Sequence, residues 1–247
     1  GDLGDGSTTS RPTAARVAGL SNVVAIAAGW YHSVALRGDG TVWAWGGNND
    51  GQLGDGTSTD RGTPRQVAGL SGVMAIAAGA HHTLALRADG SVWAWGRNDE
   101  GQLGDGTTTN RGAPAKVGGP SSVAAISAAA NYSLSLLADG TVWAWGANGY
   151  GELGDGSLAE RSAPVRTGTL SGIAAIAAGS YHAAALGADG SVWTWGGNFE
   201  GQLGDGTTAD RQSPAQVDGV AGATAIAAGM AHTLALGSDA NVLAWGA

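Results

Sequence analysis

Four histidines, His32, His82, His182 and His232, occupy one position in a pattern that returns every 50 residues, and Tyr132 holds the same position in the remaining copy. Histidine at regular spacing invites a metal reading. Ligands must converge to about 2 Å from a common centre, and side chains on separate repeats of a ring stand too far apart for that. The column therefore reads as structural: each ring caps the start of a strand and bonds a backbone carbonyl of the adjoining loop. Oxygen ligands for calcium are the next candidate, in Asn49-Asp50-Gly51 followed by Asp55-Gly56 and Asp60. Their spacing lacks the terminal bidentate glutamate of an EF-hand loop, and aspartates that bond their own turn account for them better. Arg11, Arg61, Arg111, Arg161 and Arg211 recur beside these aspartates, as expected of a structural ion pair or a stack on tryptophan. No serine elbow, phosphate loop or metalloprotease motif is present. Chemistry needs one unusual constellation in one place, and fivefold repetition points instead to a scaffold, so no catalytic residue, cofactor or metal is assigned.

Positions that differ between copies are those the scaffold does not dictate. One variable cluster holds Trp30-Tyr31, Ala80-His81, Ala130-Asn131, Ser180-Tyr181 and Met230-Ala231. The other follows each Trp-Gly pair and includes Asp50, Arg97, Glu100, Tyr150, Phe199 and Glu200. Aromatic side chains with interspersed charge are the composition of a protein-binding surface. The predicted partner-binding residues are Trp30, Tyr31, Asp50, His81, Arg97, Glu100, Asn131, Tyr150, Tyr181, Phe199, Glu200 and Met230.

The elements that carry them follow from one stretch, Val42–Gly56, which returns at 92–106, 142–156 and 192–206. A fifth copy is split between the two chain ends. A fixed period of this size signals a repeat architecture. Within residues 51–100, Val73–Ala78, His82–Leu86 and Val92–Trp95 read as strands, Asp89-Gly90 as a hairpin turn, and the segment from Pro64 to Val67 as an outer strand where proline costs no ladder bond. The Val73–Ala78 strand is apolar enough to be buried on both faces. Four short antiparallel strands cannot be stable alone, and radial stacking of such sheets makes a β-propeller. The expected fold is all-β: one propeller domain over 1–247, with blades at about 20–69, 70–119, 120–169 and 170–219. The fifth blade is expected to be shared by 1–19 and 221–247, closing the ring.

Composition narrows the partners. The chain has 247 residues, a net charge of −8, one lysine (Lys116) and no cysteine. A nucleic-acid footprint needs clustered basic residues, and anionic lipid surfaces are disfavoured for the same reason. The expected partner is a protein, with no nucleic acid and no membrane, and the chain is expected to be a monomer if the five-blade ring closes.

The pattern Gly79-Ala80-His81-His82-Thr83-Leu84-Ala85-Leu86, then Asp89-Gly90, Val92–Gly96, Asn98 and Gly101-Gln102-Leu103-Gly104, resembles the regulator of chromosome condensation repeat. The resemblance implies a propeller, usually of seven blades, that works by binding proteins. The family's exchange factors use an inserted wedge, for which the equal repeats here offer no counterpart. The Ala- and Gly-rich style is similar to bacterial members, which implies an extracellular or periplasmic location. A weaker similarity to the second type of β-lactamase inhibitor protein implies an alternative, a secreted enzyme inhibitor, although those repeats lack the Leu-Gly-Asp-Gly-Thr loop. A recently amplified or engineered array without a ligand is the remaining alternative.

Overall fold

The computed structural model describes residues 1–247. Its 19 strands form five antiparallel sheets. Blade one consists of β1 (Val23–Ala28), β2 (His32–Arg37), β3 (Val42–Gly46) and β4 (Arg61–Gln66). Blade two repeats it with β5 (Val73–Ala78), β6 (His82–Arg87), β7 (Val92–Gly96) and β8 (Arg111–Lys116). Blade three holds β9 (Val123–Ala129), β10 (Tyr132–Leu137), β11 (Val142–Gly146) and β12 (Arg161–Arg166). Blade four holds β13 (Ile173–Ala178), β14 (His182–Gly187), β15 (Val192–Gly196) and β16 (Arg211–Gln216). Blade five has three strands, β17 (Ala223–Ala228), β18 (His232–Gly237) and β19 (Val242–Gly246). Each sheet is a simple meander, so the sequence order is also the spatial order.

Successive blades meet face to face, from the first blade through to the fifth. Leu and Val side chains from one blade fill the space against Ala and Trp side chains of the next. One core cluster shows this, joining Leu134, Leu136 and Val142 of blade three to Ala183, Ala185 and Trp195 of blade four. The second strand of each inner blade is almost wholly buried. The first strand is not buried on both faces as expected: Met74 on β5 is 58% exposed. First strands of neighbouring blades approach one another, and one side of each looks into the space they surround rather than into a packed layer.

The loop after the third strand latches each blade to the next. Residues 51–56 leave blade one and lie on blade two, where the Gly56 N–H donates to the Gly112 carbonyl (2.8 Å). The Trp95 indole N–H donates to the Gln52 carbonyl at 2.9 Å. The same bond joins Trp145 to Gln102 (2.9 Å), Trp195 to Glu152 (2.8 Å) and Trp245 to Gln202 (2.9 Å). A buried indole keeps its large apolar area only if its N–H finds an acceptor, so this carbonyl is part of the core.

The expected closure through a shared fifth blade is not formed. Residues 11–16, the counterparts of Arg61–Gln66, make no strand, and β19 has no fourth-strand neighbour. Gly1–Gly6 is held on blade one, where the Trp45 indole donates to the Asp2 carbonyl (2.9 Å) and the Gly6 N–H to the Gly62 carbonyl (2.8 Å). The outer sides of the end blades are uncovered: Ile26 is 78% exposed and Val242 62%, whereas Val142 and Val192 are fully buried. Each junction brings the same strands together, and blade five makes no such junction with blade one, so the five blades stack as an open arc.

Candidate functional site

The two variable clusters lie on loops that end at the same edge of each blade. The loop after the first strand and the loop after the third are joined by a backbone bond, from the Arg97 N–H to the His81 carbonyl (2.9 Å) in blade two and from the Ala147 N–H to the Asn131 carbonyl (2.9 Å) in blade three. All twelve residues predicted for partner binding therefore sit on one face of the arc.

Their side chains form two aromatic groups. On blades one and two, the His81 ring meets Trp30 edge-on at 5.8 Å and Tyr31 at 5.7 Å. His81 Nδ1 stands 3.5 Å from an Asp50 carboxylate oxygen, and the other Asp50 oxygen accepts the Asn110 amide (3.1 Å). On blades three and four, Tyr150, Tyr181 and Phe199 pack mutually edge to face, with ring centres 4.9 to 5.9 Å apart. Trp30 (61% exposed), Tyr31 (56%) and Phe199 (43%) remain open to solvent. Edge-to-face aromatic clusters are rigid contact area that loses little side-chain entropy on binding. Between the groups lie Arg97, paired with Asp99 (2.6 Å), and Glu100, which accepts the Asn131 amide (3.3 Å). Burial, with the charges of Asp99 and Glu160, raises the Glu100 pKa. Met230 stands on blade five, 70% exposed, and Glu200 follows Phe199 on blade four; neither belongs to the two aromatic groups.

The repeated residues are absorbed by the scaffold. His32 Nε2 lies 3.0 Å from the Thr83 hydroxyl of the next blade, and that hydroxyl donates to the Gln52 carbonyl (3.0 Å). With its proton used there, the hydroxyl accepts from His32, which fixes a neutral ring protonated at Nε2. His82 with Ser133 and His182 with Thr233, each at 2.9 Å, repeat the arrangement. The histidine partner is thus a hydroxyl across the blade junction, not the loop carbonyl expected, because the following blade comes within reach of the ring and presents that hydroxyl to it. Burial lowers the pKa of His32 and His182 to about 4 and that of His82 to about 3. Arg61 pairs with Asp55 (2.8 Å), Arg111 with Asp105 (2.8 Å), Arg161 with Asp155 (2.8 Å) and Arg211 with Asp205 (2.6 Å); Arg11 pairs with Asp5. The stacks on tryptophan belong to other arginines, Arg37 over Trp43 and Arg87 over Trp93.

Asn48 explains the aspartate-rich loop. It is fully buried, accepts the Leu53 N–H (3.0 Å) and donates to the carbonyls of Thr57 (3.1 Å) and Thr59 (3.0 Å). Asp55 accepts the Thr57 amide and hydroxyl on one oxygen and Arg61 on the other. Asp50, Asp55 and Asp60, three of the residues that suggested calcium, each accept from protein donors.

Sequence reasoning missed Glu152 and Glu160. Glu152 stands where Gln52, Gln102 and Gln202 stand in other copies, and Glu160 where Asp60, Asn110 and Asp210 stand. Comparing columns for charge, and not for aromatic character alone, finds both.

Stacked four-stranded meanders latched blade to blade define a β-propeller-type fold. The family model described as RCC1-like domain matches residues 1–247, and the chain belongs to that family. No curated protein matches it in sequence. Among solved structures it is similar to human WBSCR16, at 29% identity and a TM-score of 0.79 over 87% of this chain and 58% of that one. Prp20p of Saccharomyces cerevisiae matches at 29% identity and a TM-score of 0.78, over 91% of this chain and 57% of that one. The ectodomain of the Arabidopsis thaliana receptor kinase ACR4 shares the fold at 17% identity and a TM-score of 0.56, over 93% of this chain and 66% of that one. The chain thus spans 57 to 58% of the length of the first two.

Proposed function

We propose that this chain is a non-enzymatic interaction module that takes a protein partner on the face built from the two aromatic groups. The observation that carries the reading is the coincidence of three properties in one place. The residues vary between copies of an otherwise near-constant repeat, they are aromatic, and they are exposed side by side. Bulky rings such as Trp30 at 61% exposure contribute nothing to the blade core and present apolar area ready to be buried. The relatives agree in kind: Prp20p is described with binding properties to Gsp1p and histones. The partner here is a different matter of surface chemistry, since the loops that form this face are the least uniform part of the chain. Acidic side chains around the rings argue for a partner with basic or neutral contacts and against nucleic acid.

The test replaces Trp30, Tyr31, Tyr181 and Phe199 by Ser together. The variant should keep the wild-type unfolding free energy within roughly 2 kcal/mol, since Trp30, Tyr31 and Phe199 are exposed and Tyr181 is only half-buried, and should lose the proteins that cross-link to the wild-type face. Retention of the same cross-linked partner at equal yield overturns the reading.

A further inference from the structure

Between blades three and four, on the same face, lies a cavity of about 210 Å³. Its walls include Glu100, Glu152, Glu160, Tyr132, Tyr150 and Tyr181. Here the chain departs from its own repeat at three columns: Tyr132 replaces the column histidine, Glu152 the column glutamine and Glu160 a shorter residue. Three departures converge on one pocket.

Glu152 is the informative member. It is 3% exposed, and one carboxylate oxygen accepts the Tyr150 N–H at 2.8 Å. In blades one, two and four a glutamine oxygen accepts that same bond, as Gln52 does from the Asp50 N–H (3.0 Å), and a neutral amide fills the second position. Glu152 puts a negative oxygen there instead, and none of the chain's salt bridges reaches it. Arg97 and Arg161 are engaged by Asp99 and Asp155. A carboxylate this buried is costly without a cation, and Glu100 and Asp210 add like charge around it. The carboxylates do not converge as metal ligands do, and they are backed by the Tyr150 and Tyr181 rings, which meet edge-on at 5.5 Å. Separated carboxylates beside aromatic rings suit a planar, extended cation that stacks and pairs at once, which is the chemistry of guanidinium.

We infer that this pocket is an arginine subsite, in which a guanidinium group from the protein partner enters beside Tyr150 and Tyr181 and pairs with Glu152. The inference rests on the binding-face reading and names the side chain that the face selects.

The experiment titrates the full chain with three blocked tripeptides, Gly-Arg-Gly, Gly-Lys-Gly and Gly-citrulline-Gly, followed by chemical shifts of the tyrosine rings. Citrulline keeps the shape of arginine and removes its charge. The arginine peptide should bind at least tenfold more tightly than either of the others, and Glu152→Gln should abolish the difference. That variant restores the residue found in three other copies, so its blade remains folded, as an unchanged near-ultraviolet spectrum will show. Equal binding of all three peptides, binding of none, or full retention of arginine preference in Glu152→Gln overturns the subsite. Preference for lysine overturns the guanidinium assignment. If the cross-linked partner is lost in the four-serine variant while the peptides show no arginine preference, the face stands and the subsite falls. The reverse result retires the face as the partner's site.

Discussion

The Tyr132 hydroxyl on blade three donates to the Gly179 carbonyl on blade four at 2.9 Å. At the equivalent point of three other junctions a histidine meets a hydroxyl: His32 with Thr83, His82 with Ser133, His182 with Thr233. Blade four offers Ala183 in that hydroxyl column, and Tyr132 and Ala183 lie in one core cluster. The junction has exchanged one polar pairing for another in which the longer phenol bypasses the missing hydroxyl.

These two residues should therefore be coupled. Tyr132→His alone leaves a buried ring nitrogen without a partner and should cost roughly 2 kcal/mol. Adding Ala183→Thr restores the pairing used elsewhere and should recover about half of that. A double-mutant cycle on urea midpoints checks it; strictly additive losses contradict the exchange.

Acid should weaken the fold in two windows. The folded pKa values of His32, His82 and His182 lie below the ordinary 6.5, at about 4, 3 and 4. The unfolded chain then binds more protons, so stability is full above pH 6.5 and falls as pH drops toward 4. Asp205 is held at about 2, because bonds from Thr207 and Arg211 outweigh the opposing effect of burial, and Asp5 at about 2 by Ser7 and then Arg11. Their contribution is present above 3.8 and is lost as pH falls through 2. Unfolding midpoints measured from pH 8 to 2 should show the first decline beginning near neutrality. A flat profile down to pH 4 contradicts neutral, buried junction histidines.

Asn98, fully buried, holds its loop through the Leu103 N–H (2.9 Å) and the carbonyls of Thr107 (3.0 Å) and Thr109 (3.1 Å). Asn98→Ala strands these groups and should cost roughly 2–4 kcal/mol. Amide exchange across residues 103–111 should accelerate while β6 stays protected. Uniform acceleration throughout blade two contradicts a local role.

Two glycines of that loop should respond differently. Gly104 has φ +66°, and a Cβ there would lie 2.8 Å from the Trp145 ring. Gly106 has φ +83° with nothing within 4 Å. Gly106→Ala meets backbone strain alone, about 1 kcal/mol. Gly104→Ala adds a clash with the indole of the next blade and should cost at least twice as much. Equal midpoints for the two variants contradict the close approach.

The sequence by itself determined the blade. A fixed 50-residue period, alternating Leu and Trp, Asp-Gly hairpins and a proline in the outer strand leave one way to satisfy each backbone group. The strands fall within a few residues of where the pattern puts them, because such signals act locally. The face carrying the variable residues was legible too, since a meander places its first and third connections at the same end.

Only the tertiary structure decided what crosses between blades. His32 gives no sign in its own repeat that its partner is Thr83, 51 residues on, because that hydroxyl arrives by stacking and not by local chain geometry. Glu152 stands in a column that holds glutamine elsewhere, and packing alone places it beside Glu100 and Tyr181 from neighbouring blades. Ring closure went the same way. The phase of the chain ends suggested a shared blade, but the angle between blades depends on how side chains of two sheets interlock, and a period read along one chain does not contain that angle.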